Sequence, residues 1–262
     1  MTAEELASLA GPDSALGREL TAYLGDAGSV YDQPSAFTAF IRGGGNVELY
    51  RRLSEELAGR YDSLKPSSLL DLGCGDGLAV VPALAQASWT PSRIDLVEPS
   101  AALLDDVRPR VPGARFWQST AEDFLARDES WAFTQSTFAL QSIEPQVRAG
   151  VLRALASRTE RLVLAEFDVP EFAEGSPEHL RSLVERYERG IAEYGADASL
   201  VAQGFLLPIL LGIVSGKQRT NWEHPARDWM TQLRAAGFTG VTVEPLADYW
   251  WSPAVLISAK GS

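Results

Sequence analysis

The spacing of apolar residues changes character near residue 66 of this chain. Before that point, apolar side chains recur every three to four residues, which is the period of an amphipathic helix. This pattern predicts four helices in the first 65 residues, at Ala3–Ala10, 17–24, 34–41 and 47–61. The clearest stripe consists of Val47, Tyr50, Leu53, Leu57 and Tyr61.

After residue 66, short apolar runs alternate with amphipathic segments of helical length. The runs predict strands at Ser68–Leu72, Arg93–Val97, 114–118, 132–139, 161–167, 239–244 and 254–259. The segments between them predict helices at 78–86, Ala101–Val107, 121–126, Pro145–Ala156 and 225–236. Strands that alternate with helices form mainly parallel sheets covered on both faces, so we expect an α/β fold with a seven-stranded sheet.

One interval interrupts the alternation. Residues 170–224 carry a charged helical pattern at 178–194 and an apolar one at 200–214. We therefore expect four segments along the chain. They are an N-terminal helical lid at 1–65, a core at 66–169, a helical cap insertion at 170–224, and the last helix and strands of the core at 225–262.

The charge balance bears on the partners of the chain. The 262 residues are 45% hydrophobic, as in globular proteins with a buried core. Lys+Arg 23 against Asp+Glu 35 gives a net charge of −12, which repels the phosphates of nucleic acid and anionic membrane surfaces. We therefore expect no nucleic-acid partner.

The location of the protein is predicted from three further features. The single cysteine forms no internal disulfide, and residues 1–11 lack the basic and apolar pattern of a signal peptide. The most apolar stretch, 204–214, contains Pro208 and is shorter than the roughly 20 residues that cross a bilayer. These features predict a cytoplasmic protein without a membrane partner.

The first predicted strand runs directly into a glycine-rich turn. The sequence SLLDLGCGDGL at 68–78 has Asp71 two positions before Gly73, with further glycines at Gly75 and Gly77. Glycine lets the backbone turn sharply and approach a ligand where a β-carbon would collide. The spacing differs from the G-x-G-x-x-G that seats a dinucleotide pyrophosphate, and the carboxylate suits a ligand with a positive or hydrogen-bond-donating end.

This segment resembles the first motif of the class I S-adenosylmethionine-dependent methyltransferases, in particular those that act on small molecules. Motifs in the order typical of the family carry the resemblance over residues 66–168. The last two predicted strands extend it to the end of the chain. It implies a Rossmann-like fold, S-adenosyl-L-methionine as cofactor and S-adenosyl-L-homocysteine as product. It also implies that Asp71, Gly73, Gly75 and Gly77 surround the amino-acid and ribose parts of the cofactor.

Two further landmarks follow in the order typical of this family. Glu98 ends the second strand, and the resemblance implies that its carboxylate accepts hydrogen bonds from both ribose hydroxyls. After the third strand, the family often carries an acid that binds the adenine amino group. Thr120 occupies that place here, which leaves the adenine contact open between Thr120, the backbone of Ala121 and the side chain of Glu122.

The fourth strand leads into the loop that faces the methyl group and the substrate in this family. Residues 135–143 read QSTFALQSI, so Ser136 is expected at the cofactor and Gln141 at the substrate. Many relatives have a histidine near the position of Gln141. Its absence removes the simplest candidate for a general base.

The N-terminal segment carries another resemblance. Many small-molecule methyltransferases have a Tyr-Asp pair ahead of the core, and Tyr31 with the aspartate after it resembles this pair. Three consecutive glycines begin at Gly43, and each destabilises a helix by about 1 kcal/mol relative to alanine. They therefore predict a hinge, or a loop that another group approaches closely. We expect Tyr31, Gly43 and Asn46 at the cofactor. A core position for Tyr31 and a helix N-cap for Asn46 are the alternatives.

Three side chains are candidates for the chemistry at the methyl acceptor. Glu166 lies at the end of the fifth strand, where ligands gather outside the carboxyl edge of a sheet. His224 is one of two histidines and lies just before the helix that leads to the sixth strand. With Gln141, these residues form the predicted catalytic group. No cluster of histidines and carboxylates predicts a metal ion, so a metal-dependent mechanism is disfavoured.

The sequence therefore predicts a methyltransferase that acts on nitrogen, oxygen or carbon of a small molecule, in a tailoring step of natural product biosynthesis. Two alternatives stay open. Some proteins of this fold keep the cofactor site but catalyse cyclisation or decarboxylation, and others methylate proteins. The sequence predicts no oligomeric state.

Overall fold

The computed structural model describes residues 3–25, 34–217 and 219–262. The chain forms two compact units. Unit 1 comprises Met1–Glu48, Val169–Trp222 and Asp248–Ser252. Unit 2 comprises Leu49–Asp168, Glu223–Ala247 and Pro253–Ser262.

Unit 2 is built on a seven-stranded sheet with the order β3-β2-β1-β4-β5-β7-β6. The strands from β1 to β5 pair in parallel, whereas β7 is antiparallel to both β5 and β6. This topology confirms the predicted mostly parallel seven-stranded sheet. The strands are β1 Ser68–Leu72, β2 Arg93–Val97, β3 Arg115–Trp117, β4 Trp131–Thr137, β5 Thr159–Phe167, β6 Thr239–Ala247 and β7 Ala254–Lys260.

The helices within the described residues follow the predicted positions to within a few residues in most cases. They are α1 Ala3–Ala10, α2 Ala15–Gly25, α3 Pro34–Arg42, α4 Asn46–Leu64, α5 Val80–Gln86, α6 Ala101–Val107, α7 Ala121–Phe124, α8 Pro145–Ala156, α9 Pro177–Ala192, α10 Ala198–Val201, α11 Leu207–Ser215 and α12 Ala226–Ala235. Short 3-10 turns lie at Arg108–Arg110, Leu140–Ser142 and Gly195–Asp197, and a π-helical turn lies at Ala202–Leu206.

The sheet of unit 2 is covered by helices on both faces. Every residue of β1 is buried, which is why this strand reads as a continuous apolar run with one acid. On one face, α8 and α12 pack on the sheet in a core that includes Trp131, Leu152, Leu164, Trp229 and Ile257. On the other face, Tyr61 of α4 meets Phe133 of β4 edge to face, with ring centroids 5.8 Å apart.

A buried carboxylate connects side chains from three strands of the sheet. Asp95 of β2 is fully buried and accepts hydrogen bonds from the indole N–H groups of Trp117 on β3 and Trp131 on β4, both at 2.8 Å. Arg115 donates to both carboxylate oxygens, at 2.6 and 2.8 Å. Burial raises the pKa of Asp95, but the bonds from Arg115, Trp131 and Trp117 outweigh it and hold the pKa below its ordinary value.

Unit 1 is mainly helical, and a charged side chain of one helix binds the backbone at the start of another. Glu188 of α9 accepts hydrogen bonds from the backbone N–H groups of Ala15 and Leu16 at the start of α2, at 2.8 and 2.7 Å. These donors lack partners within their own helix, so the carboxylate completes the helix terminus. At Gly190 of α9 a β-carbon would lie 2.5 Å from the ring of Trp250, so the close packing there requires glycine.

The apolar stretch of unit 1 is longer in the structure than the sequence pattern predicted. Gly195–Ser215 is a helical segment of 21 residues with a mean hydropathy of 2.0 in its most apolar window. Pro208 directly follows the π-helical turn Ala202–Leu206 as the second residue of α11, so the segment stays helical through a local change in its hydrogen bonding. By length and composition the segment is long and apolar enough to cross a bilayer, but core helices of soluble proteins meet the same criterion. The absence of a membrane partner therefore stays a prediction.

The Asp95 network generates a stability prediction. Asp95→Asn should lower the free energy of unfolding by at least about 1.5–3 kcal/mol, because each hydrogen bond to a charged group contributes about that much. The pKa of Asp95 is lowered in the fold, so its contribution is present above the unfolded pKa of about 3.9 and is lost on further acidification. Urea unfolding at pH 7 and pH 3 should show the difference from the parent protein shrinking at low pH.

Asp105→Asn is the matched control. This aspartate has a side chain that is 76% exposed and lies 3.8 Å from Arg108. Because exposed pairs contribute little, the control should leave the unfolding midpoint almost unchanged. Equal midpoints for the Asp95 and Asp105 variants would contradict a central role for the buried carboxylate.

Candidate functional site

The turn after β1 is shaped by backbone bonds to the neighbouring strand β2. The N–H groups of Gly73 and Cys74 both donate to the carbonyl of Val97, at 2.8 and 3.0 Å. The three glycines of the turn have positive φ angles, of 77° at Gly73, 54° at Gly75 and 81° at Gly77. Side chains other than glycine rarely adopt this conformation, so the sequence pattern reflects the backbone path.

Two of these glycines are also required by close packing. A β-carbon on Gly73 would lie 2.5 Å from the β-carbon of Ala139, in the loop after β4. A β-carbon on Gly77 would lie 2.5 Å from Val107 at the end of α6. Gly75 has no atom within 4 Å of such a position, so its side-chain direction is open. The turn thus combines two tightly packed positions with one open one.

Glu98 is held in place by backbone donors of the same turn region. Its carboxylate accepts a hydrogen bond from Gly75 N at 3.1 Å and another from Ser100 N at 3.0 Å. Each oxygen therefore uses one of its acceptor positions, and further acceptor capacity remains for a ligand. Burial raises the pKa of Glu98, and the two backbone bonds lower it in part.

Asp71 lies at the end of a buried chain of side chains. The hydroxyl of Tyr61 donates to Oε1 of Gln135 at 2.5 Å, and Nε2 of Gln135 donates to Oδ2 of Asp71 at 3.0 Å. The other oxygen, Oδ1, is buried and has no hydrogen-bond partner among the described residues. Burial raises the pKa of Asp71 to about 7, with a further increase from Glu98 and a decrease from Gln135. The network orients one carboxylate oxygen; the other is buried, and Asp71 does not line the cavity beside Gly73 and Glu98.

A cavity of about 420 Å³ opens beside Gly73 and Glu98. Three loops at the carboxyl edge of the sheet surround it, which is where ligands bind in open α/β sheets. Its walls are Leu72, Gly73, Val97, Glu98, Pro99, Ser119, Thr120, Ala121, Glu122, Ala139, Leu140, Ser142, Ile143, Glu144 and Val147. Of the predicted site residues, Gly73, Glu98, Thr120, Ala121 and Glu122 line this cavity.

The loop after β3 keeps all three candidates for the adenine contact at the cavity. The hydroxyl of Thr120 accepts a hydrogen bond from Asp123 N at 3.3 Å, as the N-cap of α7. The lone pair used there is not available to a ligand, although the residue still lines the cavity. The backbone of Ala121 and the side chain of Glu122 stay as the other candidates for an adenine contact.

The loop after β4 begins with a strained residue. Phe138 has a φ angle of 55°, which is rare for a bulky side chain, and its N–H donates to the carbonyl of Ala165 at 2.8 Å. This conformation ends β4 at Thr137, two residues earlier than the sequence predicted. The ring of Phe138 stacks on Phe167 at 4.6 Å and meets Tyr50 edge to face at 6.0 Å. Strain of this kind persists where surrounding contacts fix it, and it is frequent at functional sites.

Two predicted residues of this region make internal bonds. The hydroxyl of Ser136 donates to the carbonyl of Leu72 at 2.7 Å and links β4 to the end of β1. Nε2 of Gln141 donates to the carbonyl of Phe138 at 3.3 Å, within the same loop. Neither residue belongs to the cavity wall, so a contact of Ser136 with cofactor or of Gln141 with substrate stays a prediction.

Glu166 and His224 both lie near Arg148 of α8. Glu166 is fully buried, and neither carboxylate oxygen has a well-aligned hydrogen-bond partner in the described part of the chain. Burial raises the pKa of Glu166 to about 8, an effect reduced by Arg148 and by the nearby backbone N–H groups of Gln141 and Leu140. Nε2 of His224 lies 2.5 Å from Nη2 of Arg148. Because arginine only donates, Nε2 is the acceptor and is occupied.

The remaining predicted residues belong to unit 1 or lie outside the described residues. Tyr31 lies outside them. The side chain of Asn46 is 3% exposed; its amide donates to Phe40 O at 2.8 Å and to the Tyr194 hydroxyl at 3.2 Å, and it accepts from the Tyr249 hydroxyl at 3.0 Å. Gly43 lies in the turn before α4 in the same unit, where its N–H donates to Phe40 O at 3.3 Å.

Several residues of the site could not be found from the sequence. Arg148 was not singled out. Tyr61 was expected only in an apolar helix stripe, and Gln135 only among the polar groups after the fourth strand, because their contact joins residues that are distant along the chain. The cavity-lining residues Ser119, Leu140 and Ile143 carry no chemical signature of their own. Among the described residues, no group of three or more His, Cys, Asp or Glu side chains could hold a metal ion.

Comparisons with known proteins bear on the fold. No protein-family model matches the chain, and no curated protein matches its sequence. Among solved structures, the mitomycin 7-O-methyltransferase MmcR has a TM-score of 0.56 at 15% identity, over 99% of this chain and 67% of that one. PigF with SAH has a TM-score of 0.53 at 15% identity, over 94% of this chain and 69% of that one.

A third solved structure covers nearly the whole of both chains. The magnesium protoporphyrin IX methyltransferase ChlM from Synechocystis PCC 6803 with bound SAM has a TM-score of 0.54 at 11% identity, over 100% of this chain and 98% of that one. The chain therefore has the Rossmann-like fold of the class I S-adenosylmethionine-dependent methyltransferases.

The packing of the glycine turn generates a prediction. Gly73→Ala should lower the free energy of unfolding by about 2–5 kcal/mol, because a positive φ costs about 1–2 kcal/mol and overpacking about 1–3 kcal/mol. Gly113→Ala is the control, since Gly113 has a φ of 88° but nothing within 4 Å of the added carbon. The control should lower the free energy of unfolding only by the cost of the positive φ.

A second substitution separates the two contributions. Adding Ala139→Gly to the Gly73 variant removes the atom that lies 2.5 Å from the new β-carbon. Urea unfolding should then show that the double variant recovers the overpacking part of the loss. If the double variant is no more stable than Gly73→Ala, the contact with Ala139 does not constrain the turn.

Proposed function

We propose that this protein is an S-adenosylmethionine-dependent methyltransferase that acts on a small molecule. The observation that carries the proposal is the pair of carboxylates beside the glycine turn. Asp71 has one buried oxygen without a partner among the described residues, and Glu98 lines the cavity with acceptor capacity left. A ligand with an ammonium group and a pair of hydroxyl groups supplies the donors that this arrangement lacks.

The residues present fit the cofactor in three respects. Gly75 leaves open space where a side chain would stand, so a ligand can approach the backbone there. Asp71 and Glu98 would hold the ammonium group and the ribose hydroxyls. The loop Ser119–Glu122 would enclose the adenine. The cavity of about 420 Å³ is in the range of roughly 300–1,000 Å³ that small ligands occupy.

Two of the solved structures with this fold support a small-molecule acceptor. They are named for methyl transfer to mitomycin and to magnesium protoporphyrin IX. When bound, S-adenosylmethionine would supply a methyl group on a positively charged sulfonium. The protein would contribute mainly alignment of the acceptor, which can supply roughly 7–11 kcal/mol of the barrier reduction. A tailoring step in natural product biosynthesis, in a cytoplasmic setting, is consistent with this chemistry.

Glu166 is the best candidate for proton transfer from the acceptor. Its pKa of about 8 is close to neutral pH, which suits a group that takes up a proton during a reaction. His224 is less suited to this role, because its Nε2 already accepts a hydrogen bond from Arg148. Gln141 would orient the acceptor by hydrogen bonding. An amine with a free lone pair would require no base, whereas a phenol or an acidic carbon would.

The proposal is tested by binding and by product formation. Isothermal titration of the purified protein with S-adenosylmethionine and with S-adenosylhomocysteine should give saturable binding at one site. Incubation with S-adenosylmethionine and panels of phenols, amines and carboxylic acids should release S-adenosylhomocysteine only with an accepted substrate. Absence of binding of either compound at millimolar concentration would overturn the proposal. Binding with turnover but no methylated product would favour non-methylating chemistry instead.

The role of Glu98 generates a binding prediction. Glu98→Ala should weaken the binding of S-adenosylhomocysteine by at least tenfold, because each hydrogen bond to a charged acceptor contributes about 1.5–3 kcal/mol. Glu160→Ala is the control, since Glu160 is exposed on β5. Titration calorimetry at pH 8 compares the two. Unchanged affinity in the Glu98 variant would remove this residue from the site.

The pKa of Asp71 generates a prediction about pH. At a pKa of about 7 in the free protein, Asp71 is ionised above neutral pH and protonated below it. Only the ionised form accepts an ammonium group, so the Kd for S-adenosylmethionine should rise about tenfold between pH 8 and pH 6.

Variants of the two carboxylates identify the titrating group. Asp71→Asn should bind more weakly at pH 8 and lose most of the pH dependence. Glu98→Ala should retain that dependence at its lower affinity. An Asp71 variant with the same pH profile as the parent would show that another group titrates.

A further inference from the structure

A short turn forms much of one wall of the cavity. The 3-10 turn Leu140–Ser142 connects β4 to α8, and Ala139, Leu140, Ser142 and Ile143 all line the cavity. The turn follows Phe138, whose positive φ redirects the chain at the end of the strand. A short 3-10 turn has weak hydrogen bonds of its own, so contacts from outside must fix its conformation.

Arg148 supplies contacts to the carbonyl groups of this turn. Its guanidinium is fully buried, and Nη1 donates to the carbonyls of Leu140 at 3.1 Å and of Ile143 at 3.4 Å. These two carbonyls flank the cavity-lining turn. The planar guanidinium can reach both acceptors and still direct its other nitrogens elsewhere.

The other nitrogens of Arg148 are held by two residues from the α12 region. Nε donates to Oε1 of Gln232 at 3.0 Å, and Nη2 donates to Nε2 of His224 at 2.5 Å. The guanidinium carbon also lies 4.4 Å from the centre of the Trp229 ring. Arg148 is therefore fixed on three sides, and its position on the turn is defined by the packing of α12 on α8.

Glu166 approaches the same turn from its amide side. The backbone N–H groups of Leu140 and Gln141 are close enough to the carboxylate to lower its pKa, and so is Arg148. The Arg148 guanidinium thus faces the carbonyls of the turn, and the Glu166 carboxyl group faces its N–H groups.

We propose that Arg148 is a positioning residue that holds the turn Leu140–Ser142 in the conformation that completes the cofactor cavity. That the cavity binds a cofactor rests on the proposed function, whereas the effect of Arg148 on the turn does not. Arg148 itself touches neither the cavity nor a reacting group, so its contribution passes through the backbone of the turn.

The test compares substitutions on the two sides of α8. Arg148→Met keeps the length and apolar part of the side chain but removes all four hydrogen bonds. Arg148→Lys keeps the charge but cannot reproduce the planar set of donors. Arg153→Met is the control, since Arg153 lies on the exposed side of the same helix. Gln232→Met removes only one partner of the guanidinium and serves if Arg148→Met does not fold.

Hydrogen exchange in the ligand-free proteins measures the turn directly. In Arg148→Met, the amides of residues 139–143 should exchange at least tenfold faster, while those of β1 and β2 keep the parent rate. Arg148→Lys and Gln232→Met should show smaller increases, and Arg153→Met none. Exchange that rises uniformly over unit 2, or that does not rise in the turn, would overturn the proposal in favour of a general stabilising role.

Binding of S-adenosylhomocysteine separates this proposal from the proposed function. If the parent protein binds, the Kd should rise at least tenfold in Arg148→Met and about threefold in Gln232→Met, at a temperature where circular dichroism shows both folded. Equal Kd values in all variants would overturn the link to the cavity. If the parent protein does not bind, the proposed function fails, and the exchange measurement alone decides the role of Arg148.

Discussion

The parallel pairing of β1 with β2 and β4 is the contact on which the arrangement of unit 2 depends. Leu72 is in register with Val97, and Asp71 is in register with Gln135. Parallel strands end at the same edge of a sheet, so the chain leaves β1, β2 and β4 at one place. The carbonyl of Val97 then accepts both N–H groups at the start of the glycine turn. Strand pairing therefore fixes the turn, the end of β2 and the loop after β4 relative to one another.

The fold and the sheet-end residues were predictable because their signals are local. Apolar runs of five residues, such as β1, read as strands buried on both faces. The glycines of the turn were recognisable because their backbone angles admit few other residues. Glu98 was recognisable from its place at the end of a strand. Signals of this kind depend on neighbours within about ten residues, and those neighbours are visible in the sequence.

The buried polar contacts could not be predicted, because their partners are distant in sequence. Tyr61 and Gln135 are separated by 74 positions, and Arg148 and His224 by 76. Each side chain alone is compatible with a surface position or with another partner. Asn46 illustrates the same difficulty, since a cap and a cofactor contact were both expected, whereas its side chain bonds with Phe40 and two tyrosines of unit 1. Only the packed structure defines which donor meets which acceptor.

The charge balance of the buried carboxylates connects the fold to ligand chemistry. Burial raises the pKa of both Asp71 and Glu166, to about 7 and about 8. Carboxyl groups with raised folded-state pKa values contribute stability below their unfolded pKa of about 4 and lose it as pH rises through the folded values. Near neutral pH the ligand-free unit therefore holds both ionising carboxylates in a poorly solvated place, and Arg148 partly offsets the cost at Glu166. A cation bound beside Asp71 would remove the cost of ionising this carboxylate. The stability that the fold loses at neutral pH would then favour the binding of a positively charged ligand.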